Sequence, residues 1–277
     1  MSKFLVRTLS GAIYVALVVF ALYASRIFDD SLVGYMFFTL MFCFVAITGV
    51  GEYYTMLTRK GKNVSIIYGV IIAFASYWVF TLSHLYFDVN QALLILCPLW
   101  ASMFLRQLWH KDPEPIASIG YTLLPILWVV APIVMMQTVG NQSIGLLMTI
   151  FICTWANDTG AYLTGMALGK HPFWVRQSPK KTWEGTIGGA IVCILCAIFV
   201  GPLLADGLAW WYWGIIGIIC GICGTLGDLV ESMFKRSCGV KDSGKIMPGH
   251  GGILDRFDSI LMIMPFITAL LTIGKMI

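Results

Sequence analysis

Apolar residues in this chain fall in long, nearly unbroken runs, not in the short alternations or one-sided stripes of a water-soluble fold. Runs close to the ~20 residues that carry a helix across a bilayer lie at 11–28, 32–50, 65–85 and 91–105. The second half adds 121–139, 143–168, 186–205, 210–230 and 253–274, the first of these interrupted by Pro125 and Pro132. The pattern predicts an all-α polytopic integral membrane protein of about nine transmembrane helices. Alternate loops between the runs then differ sharply in basic residues. All of the 18 Lys and Arg except Arg26 and Lys275 fall on one side of such a bundle. Because loops facing the cytoplasm collect Lys and Arg, the N-terminus is expected in the cytoplasm and the C-terminus on the opposite face of the membrane.

Composition agrees with the pattern. Charged residues make up 12% of the 277 positions, against about 25% in soluble domains, and mean hydropathy is +0.84. The 28 glycines suit close helix packing in lipid, and the ten tryptophans suit interfacial anchoring. Seven of the eight cysteines lie inside apolar runs, so no disulfides are expected, and the pairs Cys193/Cys196 and Cys220/Cys223 read as packing residues. Lys3 and Arg7 precede the first run as in a secretory signal, yet no small-x-small cleavage site follows near residues 23–26, so this run is expected to be a retained span. The loops leave no room for a soluble domain. Residues 1–140 are expected to form a scaffold, and 141–277 the helices and cytoplasmic loops that carry chemistry.

Charge is concentrated in LGDLVESMFKRSCGVKDSGKIMPGHGGILDRFDS, residues 226–259, between two apolar runs. Gly214, Gly217, Gly221 and Gly224 share a helical face that continues into Asp228, Glu231 and Lys235. This glycine seam suits either a contact within the chain or one between two copies. Asp255 and Asp258 share a face in the first turns of the next helix, where negative charge is favoured in any case. Two carboxylates ~4 Å apart at an effective dielectric of ~20 repel by roughly 4 kcal/mol, and a bound cation removes that repulsion. Oxygen ligands alone suit Mg²⁺ shared with substrate phosphates. Between the two helices, Pro248–Gly252 offers a turn with open backbone N–H groups that suits phosphate. His250 in that turn reads equally as a phosphate donor, an acid, or ordinary polar surface.

Two further stretches stand out. In SPKKTWEGT, Ser178 is placed to cap a helix and Pro179 to enter its first turn, which sets Lys180 and Lys181 beside a helix N-terminus with Thr182 and Glu184 nearby. In WANDTGAY, Asn157 and Asp158 sit well inside an apolar run, at a cost of ~2.5 to 3.5 kcal/mol for a central Asp, and such residues mark functional interiors by default. In the first half, Glu52 at the end of the second run is read as a boundary charge.

Ser232-x-x-Lys235-Arg236, Lys241-Asp242-x-Gly244, Pro248-x-His250-Gly251-Gly252 and Asp255-Arg256-x-Asp258 together resemble the C-terminal motif of CDP-diacylglycerol synthases, also called phosphatidate cytidylyltransferases. SPKKTWEG and GDLVESMFKR resemble further stretches of the bacterial members. The resemblance is dense over residues 157–259; before that it rests on hydropathy. It implies a Mg²⁺-dependent, multi-pass enzyme of the bacterial inner (plasma) membrane, its active site facing the cytoplasm, that joins CTP to phosphatidic acid, giving CDP-diacylglycerol and pyrophosphate for phospholipid synthesis. It also implies a homodimer, and no nucleic-acid partner is expected. On this reading Asp228 and Asp255 hold metal, with Glu231 and Asp258 as further ligands or as supports behind them. Asp228, Asp255, Asp258, Lys235, Arg236 and His250 form the catalytic set. Lys180, Lys181, Lys235, Arg236 and Lys241 are expected on the triphosphate or the lipid phosphate. Ser178, Thr182, Glu184, Asn157, Asp158, Asp242, Gly251, Gly252 and Arg256 complete the substrate-binding residues. A CTP-dependent lipid kinase of the polyprenol or phytol type and, more distantly, a transporter are the alternatives.

Overall fold

The computed structural model describes residues 3–27, 31–86, 88–249 and 251–274. The apolar runs become helices: α1 (Lys3–Ile27), α2 (Ser31–Arg59), α3 (Ile66–Tyr86), α4 (Val89–Trp109), α5 (Pro115–Pro125), α6 (Ala131–Gln142), α7 (Ile144–Leu168), α8 (Trp183–Leu204), α9 (Trp210–Ser237) and α10 (Leu254–Ile273). Seven helical segments among the described residues are long and apolar enough to cross a membrane. The chain is thus an essentially all-helical, multi-pass membrane protein. The other two expected spans, 11–28 and 143–168, are helical over 11–27 and 144–168, residue 28 lying outside the described residues. In α1 the apolar stretch is Thr8–Ala24, and in α7 the run is diluted by Asn157 and Asp158.

Pro125 and Pro132 do not break their helix. A five-residue π-helical stretch, Ile126–Val130, joins α5 to α6, and the N–H of Ala131 reaches the carbonyl of Ile126. A wider turn of this kind absorbs the missing proline N–H groups without interrupting the span.

One expectation is corrected. Ser178 and Pro179 do not open a helix; they lie in a short strand, β2 (Ser178–Thr182), paired antiparallel with β1 (Pro172–Trp174). Thr182 is the residue that caps α8, accepting from the N–H of Gly185 at 3.2 Å. The hairpin satisfies backbone groups that a one-turn extension of α8 would otherwise have carried, and it adds a small sheet to an all-α expectation.

Helices α7 to α10 pack against one another in sequence. Close approach needs glycine at two places in particular. A Cβ on Gly189 would lie 2.7 Å from the Asn157 carbonyl oxygen, and one on Gly217 would lie 2.6 Å from Cα of Ile194. Of the α9 glycine seam, Gly217 and Gly221 thus pack against α8 and Gly224 against α10, while a Cβ on Gly214 would meet nothing within 4 Å.

In the first half, a buried polar cluster sets the register of α2, α3 and α6. The Tyr77 hydroxyl is 2.7 Å from the Thr39 carbonyl oxygen and 2.9 Å from Gln137 Oε1. Thr81 donates to the same Oε1 at 3.0 Å, and Gln137 Nε2 donates to Thr39 Oγ1 at 2.7 Å. Polar contacts between membrane helices average ~0.6 kcal/mol and reach ~1.7. Gln137→Leu, which removes three of them, is expected to cost about 1 to 2 kcal/mol, read as a lower unfolding midpoint in detergent with turnover at low temperature retained.

Candidate active site

The charged segment is built by the ends of α9 and α10 and the loop that joins them. α9 ends at Ser237 with Cys238 as its C-cap, and Gly239 at φ 73° turns the chain, its N–H bonding to the carbonyl of Arg236 and that of Val240 to the carbonyl of Lys235. Arg236 reinforces the turn by donating to the Val240 carbonyl at 2.9 Å. Asp228, Glu231 and Lys235 follow one another at helical spacing, so all three face α10. Oxygen atoms of Asp228, Glu231 and Asp258 come within 4.8 Å of one another. Glu231 is fully buried, and its Oε1 has no hydrogen-bond partner among the described residues.

Two lysines meet this cluster. Lys235 contacts Glu231 on one side and Asp255 at 2.6 Å on the other. Lys181, carried in by β2, pairs with Asp228 at 2.7 Å. Three carboxylates, Asp228, Glu231 and Asp255, therefore contact two ammonium groups, and Asp258 adds a fourth acid to the cluster. An all-oxygen donor set with an unpartnered buried oxygen and acid in excess over base fits a hard divalent cation.

Of the four acids expected around a metal, three converge. Asp255 faces the loop and Lys235 instead. Its Oδ2 accepts from the N–H of Ser243 at 2.9 Å and of Gly252 at 2.7 Å, with the Ser243 hydroxyl at 2.9 Å, while Oδ1 takes Lys235. It clamps the Ser243–Gly252 loop onto the start of α10. In that loop Gly249 and Gly251 hold φ of 77° and 87°, and the Met247 N–H bonds the Gly251 carbonyl. His250 lies outside the described residues.

Two cavities are lined by residues of the charged stretches. One of about 490 Å³ lies between α7, β2, α8 and α9, lined by Asn157, Asp158, Lys180, Lys181, Thr182 and Asp228 among others. The other, about 670 Å³, is lined by Lys241, Asp242, Lys245, Gly251 and Arg256 with the rest of the loop. Both volumes lie within the ~300–1,000 Å³ of ordinary ligand sites. The first is walled partly by Tyr162 and Met166, which are exposed on α7, so it joins an apolar surface to paired lysines. The second is polar and basic. Asp228 belongs both to the first cavity and to the acid cluster.

Ser178 and Glu184 do not line either cavity. Glu184 turns back onto the hairpin base, accepting from the N–H groups of Lys170 and His171 at 3.2 Å each and lying 2.5 Å from His171 Nδ1. Asn157 Nδ2 is 3.4 Å from Thr225 Oγ1, and its Oδ1 is buried without a hydrogen-bond partner among the described residues.

Two site residues escape a reading of the sequence. Glu52 is not a boundary charge. It is buried at 6% exposure and bonds across to the α10 N-terminus and to Ser243. A lone acid in the last turns of an apolar run was the only signal for it, and Ser243 gave none.

Comparison with known proteins agrees with the geometry. Similar proteins include the phosphatidate cytidylyltransferases of Staphylococcus saprophyticus (43% identical over 153 residues, 55% of this chain and 58% of the relative) and Staphylococcus haemolyticus (46% over 121 residues, 44% and 46%). That of Staphylococcus aureus is 39% identical over 152 residues, again 55% of this chain and 58% of the relative. The chain spans about half the length of the curated relatives it matches. The family match is far longer, covering residues 5–274. By that match the chain belongs to the cytidylyltransferase family.

Proposed function

We propose that this protein transfers the cytidylyl group of CTP to phosphatidic acid at the inner face of a bacterial plasma membrane. An ionised phosphatidate oxygen attacks the α-phosphorus of CTP, the bond from that phosphorus to the β-bridging oxygen breaks, and pyrophosphate leaves with the electron pair. CDP-diacylglycerol is the other product. The observation that carries this reading is the convergence of Asp228, Glu231 and Asp258, with Asp228 also lining a lysine-bearing cavity.

The nucleophile needs no general base, because it is already an anion. It needs relief of charge, since two polyanions must meet. Asp228, Glu231 and Asp258 are the residues that would hold Mg²⁺, which when bound neutralises phosphate oxygens and the departing pyrophosphate. Lys180 and Lys181 hold phosphate in the cavity that opens toward Tyr162 and Met166, where acyl chains remain among the helices. Lys241, Lys245 and Arg256 line the polar cavity and hold the triphosphate, with the N–H groups of the Gly251 turn beside them. Lys235 keeps Glu231 and Asp255 apart in charge and fixed in place, and Arg236 holds the turn out of α9.

The finer topology belongs to the same proposal: nine spans, the N-terminus in the cytoplasm, residues 1–140 as scaffold and 141–277 as the catalytic half, working as a homodimer. Ser10 on α1 donates to the Pro248 carbonyl at 3.1 Å, which supports an N-terminus on the same face as the site.

Purified protein in detergent, supplied with phosphatidic acid, Mg²⁺ and CTP labelled at the α or the γ phosphorus, tests the reaction. Lipid-soluble α label is expected. Asp158, beside Lys181 in the first cavity, is the group that a lipid kinase would use as a base. Transfer of γ label to a polyprenol or phytol, with none to phosphatidic acid, would replace this reading by the kinase.

A further inference from the structure

Glu52 lies in the last turns of α2, about 200 positions from the catalytic loop in sequence but against it in space, and both of its carboxylate oxygens are engaged there. Oε1 accepts from the N–H of Ile253 at 3.0 Å, and Oε2 from the N–H of Leu254 at 2.9 Å. These are orphan donors of the first turn of α10, whose own N-cap residue, Ile253, offers no side-chain acceptor. A carboxylate from another helix therefore caps α10 and brings negative charge to its positive end.

The loop is shaped around the same group. A Cβ on Gly252 would lie 2.5 Å from Cδ of Glu52, and one on Gly244 would lie 2.6 Å from it. The Ser243 hydroxyl is 2.9 Å from both Glu52 Oε2 and Asp255 Oδ2. It has one proton to give, and Asp255 Oδ2 already receives two backbone N–H groups. The proton is therefore assigned to Glu52. Contacts then run without a gap from α2 to the acid cluster: Glu52 to Ser243, Ser243 to Asp255, Asp255 to Lys235, and Lys235 to Glu231.

We propose that Glu52 is a positioning residue of the transfer reaction, a carboxylate from the N-terminal helices that fixes the Ser243–Gly252 loop and the first turn of α10, and through them Asp255, Lys235 and Asp258. It touches neither substrate. The proposal rests on the cytidylyl-transfer reading above.

The test compares wild type, Glu52→Gln, Ser243→Ala and the double variant in the α-label assay, with kcat and KM for CTP and phosphatidate and the unfolding midpoint measured for each. Gln keeps the volume and one acceptor oxygen but presents an amide nitrogen that cannot accept, so of the three donors on Glu52, the Ile253 N–H, the Leu254 N–H and the Ser243 hydroxyl, at least one loses its acceptor. A misplacement of ~1 Å at a reacting centre costs up to about 100-fold. Glu52→Gln is expected to lower kcat about 10- to 100-fold while both KM values stay within about twofold. The double variant is expected to be no slower than the slower single variant, because both substitutions cut one link. Wild-type kcat in Glu52→Gln, a change confined to KM, or losses that multiply in the double variant would overturn the proposal. If Glu52→Gln does not fold, Ser243→Ala removes the contact from the loop side, and wild-type turnover there overturns it. A wild type that incorporates no α label refutes the cytidylyl reading and this proposal together; an active wild type beside an equally active Glu52→Gln refutes this proposal alone.

Discussion

Asp258→Asn is expected to reduce transfer of the CTP α label to lipid about a thousandfold while the protein still inserts and folds. Asparagine keeps the shape of the side chain and the Oδ1 that accepts from the Ser259 N–H at 2.6 Å. What it removes is one of three charges that converge with Asp228 and Glu231. Charge stabilisation by a metal on phosphoryl oxygens is worth several kcal/mol, and ~4 kcal/mol is about a thousandfold in rate. The unfolding midpoint should rise or stay level in the metal-free protein, since repulsion within the cluster falls. Asp255→Ala should also abolish turnover, by another route. It leaves the N–H groups of Ser243 and Gly252 without their acceptor and Lys235 with Glu231 alone, so the unfolding midpoint should fall along with the rate. An Asp258→Asn protein with more than a tenth of wild-type activity would remove Asp258 from the metal site.

Lys235→Met is expected to have the largest effect on stability. The Lys235 side chain is 10% exposed, and its two partners, Glu231 and Asp255, are 0% and 7% exposed. Removing one partner of a buried ion pair costs about 3–5 kcal/mol, because the other charge stays behind uncompensated. Here two carboxylates are left behind. Chemical denaturation in mixed micelles should show a loss of that size, and turnover should be undetectable. Adding Glu231→Gln to Lys235→Met is expected to recover much of the stability and none of the activity, since it removes a stranded charge together with a proposed metal ligand. Recovery of turnover in the double variant would contradict the role given to Glu231.

The helices were legible because membrane spans are written in long apolar runs, which need no knowledge of their neighbours. Asp228, Glu231 and Asp258 were legible as well, since acids at helical spacing beside apolar runs are conspicuous and their meeting follows from two consecutive helices packing together. The hairpin at Pro172–Thr182 was not, because Ser178 and Pro179 carry the same local preference for a helix start that Thr182 satisfies four residues later. Local propensity names the candidates for a cap, and packing chooses between them. Asp255 was read as a metal ligand from its place in the motif; its engagement with the loop depends on where the backbone of Ser243 and Gly252 turns, which spacing does not encode. Glu52 was the hardest to see. Its partners lie about 200 residues away, and a single acid at the end of an apolar run looks the same whether it faces water or the N-terminus of another helix.

The shared cation is tested most directly by titrating Mn²⁺, as a spin-active substitute for Mg²⁺, into purified wild type and Asp258→Asn and following the free-ion resonance without nucleotide. Wild type should remove Mn²⁺ from solution at a saturable site that Mg²⁺ competes for, and Asp258→Asn should bind it at least tenfold more weakly. Equal Mn²⁺ binding by the two proteins would contradict a cation held by Asp228, Glu231 and Asp258.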